Sequence, residues 1–252
     1  MIRCDTRLTG ELATLLQEEL IRAKLVRRYK RFLADVVLDG ESEPRTVHCP
    51  NPGSMLGLTE EGTTVWLRPA RNPQAKLSYG WVLAELPGTF VSVDTLLANK
   101  LVNDALLNKK IPELVGYEKV GKEKTFGESR FDFFLTEHEQ LPDCYMEVKS
   151  TTLLESSIAM FPDAKTERGR KHLEHLIRCK KESFRALQFF CISRCDAALF
   201  KAADHIDQKY GDALRLAASS GVEVLAYDLE IRRHGSVFSF EIGKRVECSL
   251  FQ

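Results

Sequence analysis

The pattern of hydrophobic and polar positions changes twice along the chain. Leu12, Leu15, Leu16, Glu19 and Leu20 have helical spacing, which predicts a short leading helix. From Arg28 the period shortens. Phe32-Leu33-Ala34-Asp35-Val36-Val37-Leu38 reads as a strand closed by Asp39-Gly40, and further strands follow at Thr46–Cys49, Thr63–Leu67, Trp81–Glu85 and Phe90–Val93. Turn residues separate them at Asn51-Pro52-Gly53, Glu61-Gly62, Asn72-Pro73 and Pro87-Gly88. Five short strands so close together predict a small OB-type barrel, whose open face often binds single-stranded nucleic acid.

Beyond Val93 the pattern mixes both periods. Helices are predicted over Leu96–Leu107, Lys165–Cys179 and Asp207–Ser219. Strands are predicted at Tyr117–Glu123, Arg130–Glu137, Cys144–Lys149, Ala186–Ile192 and Val222–Asp228. The later strands alternate with helices, so part of this sheet should be parallel, giving a mixed α/β domain. The junction falls near Pro87-Gly88. Residues 1–87 then hold a leading extension (1–25) and the barrel, and residues 88–252 the α/β unit.

Composition adds constraints. The chain has 252 residues, 44% of them hydrophobic, enough for a full globular core. Net charge is zero, so any affinity for a polyanion must come from local clusters. Cys4, Cys49, Cys144, Cys179, Cys191, Cys195 and Cys248 are scattered and form no C-x-x-C pair, which points to free thiols in a reducing compartment. The acidic N-terminal stretch is not a signal peptide, and no run approaches the roughly 18 apolar residues of a membrane span. The expectation is a soluble cytoplasmic protein with no membrane partner.

One constellation carries chemistry. Side chains alternate along a strand, so in Arg130-Phe131-Asp132-Phe133-Phe134-Leu135 Asp132 should point away from the face of Phe131, Phe133 and Leu135. In Tyr145-Met146-Glu147-Val148-Lys149, Glu147 and Lys149 share a face. Antiparallel pairing through the Glu137–Asp143 turn would bring Asp132 and Glu147 together. Two carboxylates, helped by the Val148 carbonyl, can hold Mg2+ or Mn2+. Such an ion polarises a scissile phosphate and acidifies bound water, and Lys149 can position that water or stabilise developing charge. This is the logic of D…(D/E)-x-K nucleases. Pro142-Asp143 mimics the first acid, but only three residues separate it from Glu147, too few for a turn and a return strand. Alternating Glu and Lys also describes a solvated strand face; a carboxylate in so aromatic a strand weighs against that, because burying it without a partner is costly.

The chain resembles the bacterial sugar fermentation stimulation protein family (SfsA). The resemblance rests on Arg28-Tyr29-Lys30-Arg31-Phe32-Leu33-Ala34-Asp35, His48-Cys49-Pro50-Asn51-Pro52-Gly53-Ser54-Met55, Ser129-Arg130-Phe131-Asp132-Phe133, Glu147-Val148-Lys149-Ser150, the run Phe161 to Leu173, and Val222 to Tyr227. It implies an N-terminal OB-like domain, a C-terminal domain similar to the PD-(D/E)xK nuclease fold, sequence-non-specific DNA binding and a regulatory role in sugar (maltose) metabolism. Carried over, the catalytic site falls on Asp132, Glu147 and Lys149, with Asp132 and Glu147 as metal ligands. Pro52 stands where the family usually has Thr, Asp94 where it has Asn, and Ser150-Thr151 where Asn-Val is common.

Two basic clusters extend the DNA reading. Arg22 to Arg31 holds six basic residues in ten, including Arg27, Arg28, Lys30 and Arg31, with Tyr29 and Phe32 able to stack on bases. A solvated basic helix end is the alternative. Farther on, Arg168 and Lys171 or His172 can share a helix face and clamp phosphate, with Asp163 and Glu167 as candidate extra carboxylates; solvent-facing charge is again the alternative. His205 is explained by a helix cap at Asp207. Three readings remain open: a metal-dependent nuclease, a non-catalytic DNA-binding regulator with the same fold, and a sugar-related enzyme or sensor. The sequence leaves the oligomeric state open, a homodimer included.

Overall fold

The computed structural model describes residues 16–70, 72 and 74–251. The chain opens on two strands, β1 (Leu16–Glu19) and β2 (Ile21–Tyr29). Four more follow in the first unit: β3 (Leu33–Leu38), β4 (Arg45–His48), β5 (Thr64–Pro69) and β6 (Tyr79–Leu86). β2 lies between β3 and β5, and β4 pairs with both β3 and β6, so five strands close into the expected OB barrel. Alternation along β2 puts Ala23 and Leu25 inside with Val36, Val47, Val65 and Trp81, and leaves Arg22, Lys24 and Arg27 outside. The basic run is therefore one face of a barrel strand and not a helix end.

The barrel sheet ends on β7 (Thr89–Ser92), which pairs with β6, and the second unit follows it. Pro87-Gly88, expected as the junction, is instead the hairpin turn between β6 and β7. After it come α1 (Thr95–Leu107), the meander β8 (Lys119–Phe126), β9 (Ser129–Thr136) and β10 (Cys144–Thr151), a small hairpin β11 (Leu153–Glu155) and β12 (Ile158–Phe161), then α2 (Glu167–Lys181) and β13 (Arg185–Ile192). The chain finishes with β14 (Leu199–Ala202), α3 (Asp204–Ser219), β15 (Glu223–His234) and β16 (Val237–Cys248). β8, β9 and β10 pair antiparallel, while β13 adds parallel to β10 and β15 parallel to β13. This is a mixed α/β arrangement: helix, three-strand meander, crossover helix and parallel strand. α1 covers one face of the sheet, and α2 with α3 the other.

The predicted leading helix is overturned where it can be seen. Leu16–Glu19 pairs antiparallel with Val237–Phe240, because an edge of the second sheet supplies hydrogen bonds that a short isolated helix lacks. Leu12 and Leu15 lie outside the described residues. The two units share one apolar core. Trp66 and Val82 of the barrel pack with Leu97 and Leu101 of α1 and with Phe238 of β16. Trp66 meets Phe238 edge-on at 4.7 Å, a contact worth about 0.5–1.5 kcal/mol beyond its buried area. No described helix is long and apolar enough to cross a membrane, and the six described cysteines are free.

Candidate active site

Asp132 sits where β9 leaves β10. The ladder between them runs from Leu135–Cys144 to Phe133–Met146. At the next step the Asp132 carboxylate takes the place of a backbone partner: its Oδ2 accepts the Val148 N–H at 2.8 Å. Opposite it, Glu123 of β8 has φ 52°, a local break in that neighbour. The expected face pattern therefore changes at this residue. Phe133 and Leu135 pack on the α1 side, whereas Phe131 packs on the α2 side with Tyr145. Once β9 is released from β10, strict alternation no longer applies. Asn99, one turn into α1, donates Nδ2–H to Asp132 Oδ1 at 2.8 Å.

Glu147 lies one strand away, only 3% exposed. Its Oε1 is held by Lys149 Nζ and by His172 Nδ1. Its Oε2 is buried and has no hydrogen-bond partner. The two carboxylates are driven apart in charge. Burial, with the Glu147 charge adding to it, raises the Asp132 carboxyl above its ordinary range against the pull of Val148, Lys149 and Asn99. Burial also pushes Glu147 up, but the His172 hydrogen bond and the Lys149 charge outweigh it and hold Glu147 below the usual glutamate range. A pair of acids separated in this way is a common mark of a reacting or ion-binding centre.

The donor set suits a hard divalent cation. Glu147 Oε2 is a buried anionic oxygen without a donor, and each Asp132 oxygen accepts one hydrogen bond and retains further acceptor capacity. Among the described residues no group of three or more His, Cys, Asp or Glu side chains is arranged to hold a metal. The carboxylate count is two, and the remaining positions would fall to main-chain oxygen, water and substrate, as is usual for Mg2+.

The other sequence candidates separate. His172, a candidate phosphate contact, is 6% exposed and lies against Glu147. Its place on the inner face of α2, beside Leu173 and Leu176, explains this. Arg168 and Lys171 are exposed, Lys171 within 3.9 Å of Glu167. Arg28 was also expected on phosphate. It is turned inward, and its guanidinium donates to the carbonyls of Asn51 (2.7 Å), Gly53 (2.8 Å), Ser54 (3.3 Å) and Arg31 (3.1 Å). Arg27 is paired with Asp35 at 2.9 Å and lies over the Tyr29 ring. Lys30 and Arg31 form the β2–β3 turn with positive φ, exposed and without an ion-pair partner among the described residues.

Arg28 secures a loop that borders the site. Asp163, just before α2, accepts the Met55 N–H at 3.0 Å, and its carbonyl accepts the Ser54 hydroxyl. On the other side Thr95 of α1 donates to the Pro50 carbonyl at 3.1 Å. The Pro50–Met55 loop is thus fastened to the same two helices whose Asn99 and His172 reach Asp132 and Glu147. Asp163 takes part in this lock, and Glu167 is exposed.

Some neighbours of the site carry no motif. Gln188 of β13 sits opposite Glu147 in the ladder, fully buried, and donates to the Glu147 carbonyl at 3.2 Å. The buried Tyr210 hydroxyl has no partner and lies within the field of Glu147. An amide in the otherwise apolar Ala186–Ile192 run was the one available signal for Gln188. Asn99 and Tyr210 look like ordinary helix residues in the sequence. Asp94, unusual against the family pattern, caps α1 by accepting the Leu96 N–H, and is also paired at 2.8 Å with Arg68. Asp207 caps the second segment of a kinked α3, as expected, and also accepts the Thr166 N–H.

Comparisons with known proteins align with this architecture. A family model described as the SfsA N-terminal OB domain matches residues 26–93. One described as the sugar fermentation stimulation protein RE domain matches residues 96–235. The sugar fermentation stimulation protein homolog of Pseudoalteromonas atlantica is 47% identical over 216 residues, covering 84% of this chain and 91% of the relative. A solved structure of Pyrococcus furiosus SfsA in complex with Ca2+ superposes with a TM-score of 0.85 at 25% identity, covering 94% of this chain and 99% of that one.

Proposed function

This chain belongs to the sugar fermentation stimulation protein family, and we propose that it is a DNA-binding protein with a divalent-metal-dependent nuclease site. The observation that carries this reading is Glu147 Oε2: a buried anionic oxygen without a donor, beside a second buried carboxylate whose charge it disfavours. Lys149 and His172 both bond the other Glu147 oxygen, so Oε2 stays buried and unmet, which is costly without a ligand. The Ca2+ found with the archaeal relative supports an oxygen-ligated divalent ion at this fold.

Asp132 and Glu147 would hold Mg2+ or Mn2+, which when bound supplies Lewis acidity to the phosphate and a more acidic water. The protein's own groups do the rest. Val148 N–H and Asn99 fix the Asp132 carboxylate at the strand split. His172 and Lys149 fix Glu147 by one oxygen and so aim the other. With Glu147 ionised, His172 Nδ1 carries the proton of that contact. The Lys149 ammonium is placed to stabilise charge that develops on a phosphate beside Glu147. Lys30, Arg31, Arg168 and Lys171 offer exposed, sequence-independent phosphate contacts.

The test is cleavage of single-stranded, duplex and branched DNA by the full chain with and without Mn2+ or Mg2+. We expect metal-dependent cutting that is lost in Asp132→Ala and Glu147→Ala while DNA binding persists. Binding without cutting on every substrate would refute the catalytic reading.

A further inference from the structure

A cleft of about 620 Å3 lies between the barrel and the first turns of α1, outside the carboxylate site. Its walls come from His48 at the end of β4, Tyr79 and Lys76 at the approach to β6, and Leu96 and Lys100 of α1. The ionic groups in it are unequal. Glu18 and Asp94 both line it, but both are bonded to Arg68 at 2.6 and 2.8 Å and are nearly buried. The exposed charges left are Lys76 and Lys100, neither with an ion-pair partner among the described residues. Between them Leu96 stands 75% exposed, an unusual position for a leucine on a helix otherwise packed into the core. Cations separated by apolar surface suit a chain that alternates phosphate with flat bases.

The cleft also has an entry. Cys49 N–H donates to the Phe32 carbonyl at 2.8 Å, so Phe32 lies beside the strand end that carries His48. Phe32 is 47% exposed, directly after Lys30 and Arg31 in the β2–β3 turn. An exposed aromatic flanked by unpaired cations is a stacking platform. On the far side, Leu96 and Lys100 each follow by one residue Thr95 and Asn99, which hold the Pro50 loop and Asp132. The cleft and the acids thus share α1 as a common wall.

We propose that this cleft binds single-stranded DNA and that the substrate is a single-stranded or unpaired segment, with Phe32 stacking one base at the entry and Lys76 and Lys100 contacting phosphates. This deepens the nuclease reading and rests on it for the chemistry. The volume lies within the range of small-ligand pockets and matches one or two splayed nucleotides.

The test is fluorescence anisotropy of the full chain with labelled oligo(dT) and with a blunt duplex of equal length, in EDTA so that nothing is cut. The parent should prefer oligo(dT). Lys76→Ala with Lys100→Ala should weaken oligo(dT) binding about tenfold and lower its log–log salt slope by about 1.4. Phe32→Ala should weaken it about tenfold with the slope unchanged. Leu96→Glu, which adds a negative charge at an exposed position, should weaken oligo(dT) and leave duplex binding unchanged. If the parent binds DNA but these variants lose nothing, or lose duplex equally, the cleft assignment is overturned and the nuclease reading stands. If the parent binds no DNA, both fall.

Discussion

Gly53 and Asp163 give a quantitative check on how the barrel loop is held at the site. A Cβ added at Gly53 would collide with the Asp163 carboxylate, so Gly53→Ala must displace that side chain. The displacement breaks the Asp163 Oδ2 contact with the fully buried Met55 N–H, 3.0 Å long. Leaving a buried donor unmet costs about 1–3 kcal/mol. Asp163→Ala removes the same bond directly and should cost the same amount. Independent effects would sum to about 2–6 kcal/mol, but both changes act through one bond. The double variant should therefore cost no more than Asp163→Ala alone, a coupling of about 1–3 kcal/mol. The sign of the glycine substitution should even reverse. Gly53 is not among the positive-φ glycines, so with the carboxylate gone alanine should stabilise by about 0.4–1 kcal/mol through the unfolded chain. Urea unfolding followed by tryptophan fluorescence reads this, because Trp66 and Trp81, the chain's two tryptophans, both lie in barrel strands. Additivity within about 0.5 kcal/mol would refute the shared-contact argument.

Two further outcomes follow from the geometry. Arg28→Ala should lower stability by about 2–3 kcal/mol, because a charged donor to the loop carbonyls is lost, yet leave the salt slope of DNA binding in EDTA unchanged; chemical denaturation and a salt titration check the two halves, and a changed slope would put Arg28 on phosphate after all. The raised Asp132 carboxyl means the folded chain binds more protons than the unfolded one between the ordinary aspartate range and the raised value, so stability falls as pH rises through that window. Metal-free Asp132→Asn should then melt higher than the parent at pH 7, with the gap closing below the ordinary aspartate range; an equal or lower melting temperature at pH 7 would contradict the placement of Asp132 beside a charged Glu147.

The elements legible in the sequence were those whose period agrees with their burial. β3, β5 and β6 are short apolar runs buried along most of their length and α1 repeats at helical spacing, and each falls within about two residues of its expected place. The failures share a cause. Leu16–Glu19 looks helical by spacing, but its partner is Val237–Phe240, over two hundred residues away, and no local pattern encodes that pairing. A strong turn signal such as Pro87-Gly88 marks a hairpin as well as a boundary, and the β6–β7 ladder makes it a hairpin here. The basic run at Arg22–Arg31 was read by charge, which hid the alternating Ala23 and Leu25 of a barrel strand.

The site divides along the same line. Asp132 and Glu147 could be paired in advance because one hairpin joins them, and the seven-residue turn sets their register. What makes them a centre comes from farther away: Asn99 from α1, His172 from α2, Gln188 from the parallel strand, and the Pro50–Met55 loop from the other unit. None of these lies within 20 residues of either acid; the nearest, His172, is 25 residues from Glu147. The alternation rule that located Asp132 also fails at Asp132, since Phe131 and Phe133 pack on opposite sides of the sheet. That failure is informative. A carboxylate that accepts a ladder N–H at 2.8 Å ends the pairing of β9 with β10 at Phe133–Met146. The residue that breaks the local rule is also the one that, under the proposed function, would share a metal ion with Glu147, as expected where function competes with regular structure.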